Sequence, residues 1–332
     1  MKADLGTHVS NVGDAGAARF SDLRQGLAGL LIGRETLIDR LLVALLVGGH
    51  VLIEGAPGLA KTRAVKLFAK GVDGIFSRIQ ATPDLLPSDL TGTNVFRQET
   101  GDFDFLPGPL FANVVLVDEV NRAPPKVQSA LLEAMGEGQI TVGKATRSLA
   151  EPFLVAATQN PIEHEGTYPL PEAQLDRFLF FIELPMPDSG DERRVLDLAL
   201  GEFAEPPDAA VLPIVEPALL AAAKAEVRQV HVSPAVRDYI VRLTAATRGE
   251  GAGGAAAAAI EHAASPRASI GLATAGQAMA WLDGRDHVIP SDVKDLAPDI
   301  LSGRIGLTYR ARADGETPRD IVGAILEATP VV

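Results

Sequence analysis

The sequence predicts an α/β sandwich on a parallel five-stranded sheet, followed by a small all-α domain. Three observations carry that expectation. Short, almost wholly apolar blocks alternate with helical patterns up to about residue 186, the pattern of parallel strands covered on both faces. A glycine-containing turn ending in Lys-Thr follows the first block. Beyond Leu184-Pro185-Met186-Pro187-Asp188-Ser189-Gly190, a break rich in turn formers, strand signals stop.

The elements follow in order. Residues 1–17 are small and polar without periodicity, and are expected to form a flexible arm. From Ser21 a helix is expected, with Leu23, Leu27, Leu30 and Leu31 on one face. A Leu-rich helix runs from about Arg34 to Val47. Strands are expected at 51–54, 75–80, 114–117, 153–157 and 178–184. The first domain is thus expected over 18–187, and a linker and helical domain over 188–332. Helices of the second are expected near 218–230, 233–247, 265–282, 291–300 and 318–327, with Gly249–Gly254 as a loop running into an alanine-rich helix.

Composition excludes several classes. The 332 residues are 47% apolar and 22% charged, enough for two buried cores and against wholesale disorder. With 43 Asp+Glu against 30 Lys+Arg, the net charge of −13 disfavours a general binder of nucleic acid or anionic membrane. The absence of cysteine excludes disulfides, thiolate zinc, Cys-ligated iron–sulfur clusters and a cysteine nucleophile. The N-terminus lacks the continuous apolar stretch of a signal peptide. The longest apolar run, from Leu41, is broken by Gly48, Gly49 and His50, short of the roughly 20 residues that span a bilayer. A soluble cytoplasmic protein is expected.

The chemistry is carried by three motifs. In Gly55-Ala56-Pro57-Gly58-Leu59-Ala60-Lys61-Thr62, a tight turn after a strand lets backbone N–H groups converge on phosphate oxygens, helped by the following helix dipole. Lys61 reaches the β- and γ-phosphates, and Thr62 offers a hydroxyl to Mg²⁺. The strict pattern wants glycine where Ala60 stands. The strand Val114–Val117 ends in Asp118-Glu119, which places two carboxylates at the sheet edge where ligands of α/β sheets bind. Asp118 suits magnesium, through water, and Glu119 suits the general base toward water. At the end of the fourth strand, Asn160 can set its amide between a γ-phosphate and the attacking water, or serve only as the turn residue before Pro161.

Together these pieces resemble the AAA+ ATPases, and closely the MoxR family within them. The resemblance rests on GGHVLIEGAPGLAKT (48–62), TPDLLPSDLTGT (82–93), PGPLFANVVLVDEVNRAPPKVQSALLEAM (107–135), ATQNPIEHEGTYPLPEAQLDRFLF (157–180) and SPRASIGL (265–272). It covers roughly residues 21–330, and the Ala60 departure is itself usual in that family.

The resemblance implies a P-loop core with a helical lid, ATP and Mg²⁺ as cofactors, and further roles. Gly55 to Thr62, with Arg63 following, matches the Walker A loop. Asp118 and Glu119 match the Walker B pair, and Asn160 matches sensor 1. Arg177, in Leu-Asp-Arg-Phe, stands where AAA+ rings place an arginine finger, although an intramolecular ion pair is a plain alternative. Arg267 matches the sensor 2 arginine, with local capping or pairing as its alternative. Arg122 rivals Arg177 as the trans-acting arginine. Ile32-Gly33 resembles the segment lining the adenine pocket. Two hairpin insertions, near 93–107 with a turn at Thr100-Gly101-Asp102 and near 138–150 with a turn at Gly143-Lys144, resemble those of the family's clade. They are expected to face a pore or partner, or else to be ordinary surface hairpins.

Family members usually carry Gln where His164 stands, and Glu is common at Gly136. Glu163, His164 and Glu165 are adjacent on a loop and cannot easily converge on one ion. The resemblance implies a self-assembled ring, expected as a hexamer, a partner carrying a von Willebrand factor A domain, and a protein client remodelled, activated or loaded with metal. A nucleic-acid motor of helicase or clamp-loader type shares the ATP core, but the charge speaks against it. A non-hydrolysing structural subunit would lack Glu119 or Asn160, and both are present.

Overall fold

The computed structural model describes residues 6–99, 101–160, 166–202 and 212–331. The first helix, α1 (Gly6–Leu30), begins well before Ser21. The expected arm is therefore helical from Gly6 onward, and residues 1–5 lie outside the described ones. Good helix formers such as Ala15, Ala17 and Ala18 extend the helix without an apolar stripe to announce it. After α2 (Glu35–Val47), Gly48 adopts φ 72° and its N–H caps Ala44 O, which ends the helix. Then come β1 (Val51–Glu54), α3 (Lys61–Gly71), β2 (Phe76–Gln80) and the short α4 (Pro87–Thr91).

The first insertion is a hairpin, β3 (Gly92–Arg97) with β4 (Asp102–Pro107), antiparallel from Gly92↔Pro107 to Arg97↔Asp102. Thr100 of its expected turn lies outside the described residues. β5 (Val114–Asp118) and α5 (Pro125–Glu137) follow. The second insertion pairs β6 (Gln139–Val142) with β7 (Ala145–Ser148). Arg147 of β7 sits over the Phe105 ring of β4 at 4.0 Å, so one hairpin braces the other. β8 (Leu154–Gln159), α6 (Glu172–Leu175), β9 (Phe180–Glu183) and α7 (Ser189–Glu202) complete this part of the chain. The sheet order is β2-β5-β8-β1-β9, with β2/β5, β5/β8 and β1/β8 parallel. β5 is buried along its whole length, which accounts for its unbroken apolar run.

The remaining helices are α8 (Pro217–Val227), α9 (Pro234–Ala246), α10 (Gly254–Ala257), α11 (Pro266–Leu282), α12 (Pro290–Leu301), α13 (Tyr309–Ala313) and α14 (Pro318–Ala328). Ser233 caps α9 by accepting from Val236 N, and Ser265 caps α11 by accepting from Arg267 N. The helical lid expected from sequence is present, with one small addition. β10 (Ile260–His262) and β11 (Gly306–Leu307) form an antiparallel pair, too short to leave an alternating signature in sequence.

The two compact units are not consecutive stretches. One comprises 18–170 and 182–219, and the other 1–17, 171–181 and 220–332. The boundary expected near 188 falls inside the first unit. The helix α7 beyond it was not anticipated, because Val195, Leu196 and Leu200 are exposed rather than lining a buried stripe.

Candidate active site

The loop after β1 turns on two backbone features. Gly58 has φ 85°, and Ala60 is left-handed at φ 57°, immediately before α3 starts at Lys61. At Gly55 the space is closed: a Cβ there would lie 3.2 Å from both Cβ and O of Leu184. Leu184 N in turn donates to Glu54 O at 2.8 Å, which fixes where the loop leaves β1. The Ile32-Gly33 segment is tied to the same corner. Arg34 Nη1 donates to Gly33 O (3.2 Å) and to Pro185 O (3.3 Å). Gly33 has φ 66°, and the Asp191 carboxylate occupies the space a Cβ would need.

Lys61 and Thr62, at the first turn of α3, meet the end of β5. Lys61 Nζ donates to Gly55 O at 2.5 Å. Thr62 Oγ1 donates to Asp118 Oδ2 at 3.4 Å. Burial pulls the Lys61 ammonium below its ordinary value, against the opposing pull of the Asp118, Glu119 and Glu54 carboxylates. Burial pushes the Glu54 carboxyl up, opposed by its hydrogen bond with Gln159. Arg63 follows in the same turn of α3, partly buried.

Asp118 is itself buried, and its carboxylate is well supplied. Oδ1 accepts from Thr158 Oγ1 (3.2 Å), and Oδ2 accepts from Arg78 Nε at 2.7 Å. Thr158 Oγ1 also accepts the Glu119 N–H at 3.0 Å, so one hydroxyl clamps both acidic residues to β8. Glu119 is left-handed (φ 57°). Its carboxylate accepts from Gln80 Nε2 (3.0 Å) and pairs with Arg122 Nε (3.3 Å). Asn160, buried at the end of β8, completes the row. The segment with Pro161, Glu163, His164 and Glu165 lies outside the described residues. A neutral hydroxyl and an anionic carboxylate oxygen, Thr62 with Asp118, are hard donors of the kind magnesium takes.

Comparisons with known proteins show the family. The ATPase family associated with various cellular activities (AAA) matches residues 50–180, and the AAA lid domain family matches 254–325. Chaperone MoxR1 of Mycobacterium tuberculosis is 47% identical over 300 residues, 90% of this chain and 78% of that protein. Protein MoxR of Paracoccus denitrificans is 33% identical, across 97% and 98%. A solved structure from Cytophaga hutchinsonii, described as a candidate ATPase, is 41% identical with a TM-score of 0.89, covering 98% of each chain. The chain belongs to the MoxR family of AAA+ ATPases.

Of the expected site residues in this MoxR-family chain, Lys61, Thr62, Asp118, Glu119 and Arg122 meet at one corner. Arg177 and Arg267 belong to the other compact unit. There Arg267 Nη1 pairs with Asp176 Oδ2 at 3.4 Å, beside the Ser265 hydroxyl on the same oxygen (3.0 Å). Asp176 Oδ1 is held by Arg304 Nε at 3.1 Å. Arg304 is buried, and donates as well to Phe178 O (2.5 Å), Leu179 O (3.0 Å) and Ile300 O (2.5 Å). It fastens the segment that presents exposed Arg177 to α12. Four residues escaped the sequence reading: Arg78, Gln80, Thr158 and Arg304. Arg78 and Gln80 reach the acidic pair only because β2 lies beside β5, an adjacency that sequence spacing does not disclose.

Proposed function

We propose that this MoxR-family protein binds ATP with magnesium and hydrolyses it in a ring of copies, a hexamer by resemblance. It would act in the cytoplasm, and the energy would serve to remodel, activate or load metal into a protein client, together with a partner carrying a von Willebrand factor A domain. One observation carries the catalytic reading: the phosphate loop's Thr62 lies 3.4 Å from Asp118, whose neighbour Glu119 is held by Thr158 and Gln80.

The loop from Gly55 to Thr62 offers backbone N–H groups, and Lys61 a cation, to the phosphates. Ile32 and Gly33 would flank the base. Thr62 and Asp118 would hold magnesium, which supplies charge neutralisation at the phosphates when bound. Glu119 accepts the proton of the attacking water, with Asn160 orienting that water. Arg267, and Arg177 from a neighbouring copy, would stabilise the charge that builds on the transferred phosphoryl group.

The test is Glu119→Gln, which keeps shape and removes the proton acceptor. Nucleotide binding should persist while phosphate release falls about 10²- to 10⁴-fold, the usual share of a general base. Turnover at the wild-type rate would overturn the mechanism.

A further inference from the structure

The carboxylate expected to serve magnesium is already engaged by a cation of the protein. Asp118 Oδ2 accepts from Thr62 Oγ1 (3.4 Å) and from Arg78 Nε (2.7 Å). An oxygen of a carboxylate has two lone-pair sites, so these two donors fill it. The other oxygen, Oδ1, is turned to Thr158. A metal-bound water seeking the Thr62 side of Asp118 therefore meets a guanidinium.

Arg78 is able to yield. It lies on β2, at the end of the sheet order, and its side chain is 52% exposed while that of Asp118 is 9% exposed. Its second contact, from Nη2 to Gln80 Oε1 at 3.4 Å, is long. The pair thus joins a fixed anion to a cation with solvent to move into. Half-exposed ion pairs of this kind are weak enough to exchange for a divalent ion.

We propose that Arg78 is a resident counter-cation of the magnesium site, holding Asp118 until magnesium takes its place. This deepens the ATPase reading and rests on it. Arg78 sets how much magnesium the site requires, because the metal must displace a positive charge rather than fill a bare carboxylate. Gln80, linked to both Arg78 and Glu119, is relieved of one partner when that exchange occurs.

The experiment measures binding of a fluorescent ADP analogue to the full chain across a magnesium titration and in EDTA. Wild type is compared with Arg78→Gln and Arg78→Lys. Thermal melting confirms that each variant is folded, which the exposure of Arg78 favours. In Arg78→Gln, half of the magnesium-dependent gain in affinity should come at about threefold to tenfold less magnesium, as expected when a competing charge is removed. Affinity in EDTA is the reference for each variant, and the magnesium-dependent gain is measured relative to it. Arg78→Lys, which keeps the charge, should stay near wild type. An unchanged or higher magnesium requirement in Arg78→Gln overturns the proposal, as does a lower requirement in Arg78→Lys equal to that of Arg78→Gln. If wild type bound no nucleotide with or without magnesium, the ATPase reading would fall, and this one with it.

Discussion

His50 stands immediately before β1 and is fully buried. Its Nδ1 accepts the Val155 N–H at 3.1 Å, and its Nε2 donates to Met135 O at 3.1 Å. The ring packs edge-on to Phe153, 5.6 Å between centroids. Only the neutral ring can make both bonds, since one nitrogen must accept. Burial drives the pKa down to about 4 from 6.5, with the bond to Met135 opposing. The unfolded chain therefore holds the extra proton between those values. The contribution of His50 to stability is complete above about pH 6.5 and is lost as pH falls toward about 4, by about 3 kcal/mol in all. Urea midpoints across this window should fall for wild type and change less for His50→Gln, which cannot take up the proton. A wild-type profile as flat as the variant's would remove His50 from that role. Nothing around His50 in the sequence marked it. Lys61, Thr62, Asp118 and Glu119 were legible because their chemistry is local: a turn, a helix start and a strand end, each readable in a few residues. Arg78, Gln80 and Thr158 act across strands, and their partners are distant in sequence.

Elements follow the same division. Most strands showed themselves as short apolar runs, and the two hairpins through the family resemblance and a turn at a glycine. What escaped were elements without a readable apolar stripe. The first half of α1 has no stripe, and α7 turns apolar residues outward. The segment 171–181 is a harder case, because no periodicity in it indicates which partner it will choose. Arg304 binds that segment through two of its backbone carbonyls and Asp176, and α12 through Ile300 O. Burial lowers its pKa, with Asp176 opposing. Arg304→Met should leave those carbonyls unpaired while Asp176 keeps Arg267 and Ser265, at a cost of about 1–3 kcal/mol. Hydrogen exchange should accelerate first in 171–181 and at the end of α12. Protection unchanged in that segment would show that Arg304 does not fasten it.

At the scale of the whole molecule, the trans role proposed for Arg177 would make turnover depend on assembly. It is exposed, on a segment anchored by Arg304. Arg177→Ala should bind nucleotide and release no phosphate. Mixed with Glu119→Gln in stable oligomers, it should regain part of the activity, because one interface then unites an intact arginine with an intact base. No regain in oligomers shown to be mixed would place the arginine's action within one chain. Assembly is also the least legible level: apart from Arg177 and Arg122, which the family resemblance singled out, nothing in the sequence marks an exposed side chain as facing another copy.

The interleaved order of the two compact units has a consequence for biosynthesis. Residues 171–181 leave the ribosome before residue 220, where the bulk of their own unit begins. Leu179 lies against Gly271 and Phe181 against Gly303, neither of which has yet been translated. A nascent chain halted near residue 188 would leave Leu179 and Phe181 without those neighbours, so expressing the nucleotide domain alone should expose apolar surface. A working fragment of this protein has to be cut elsewhere, or not at all.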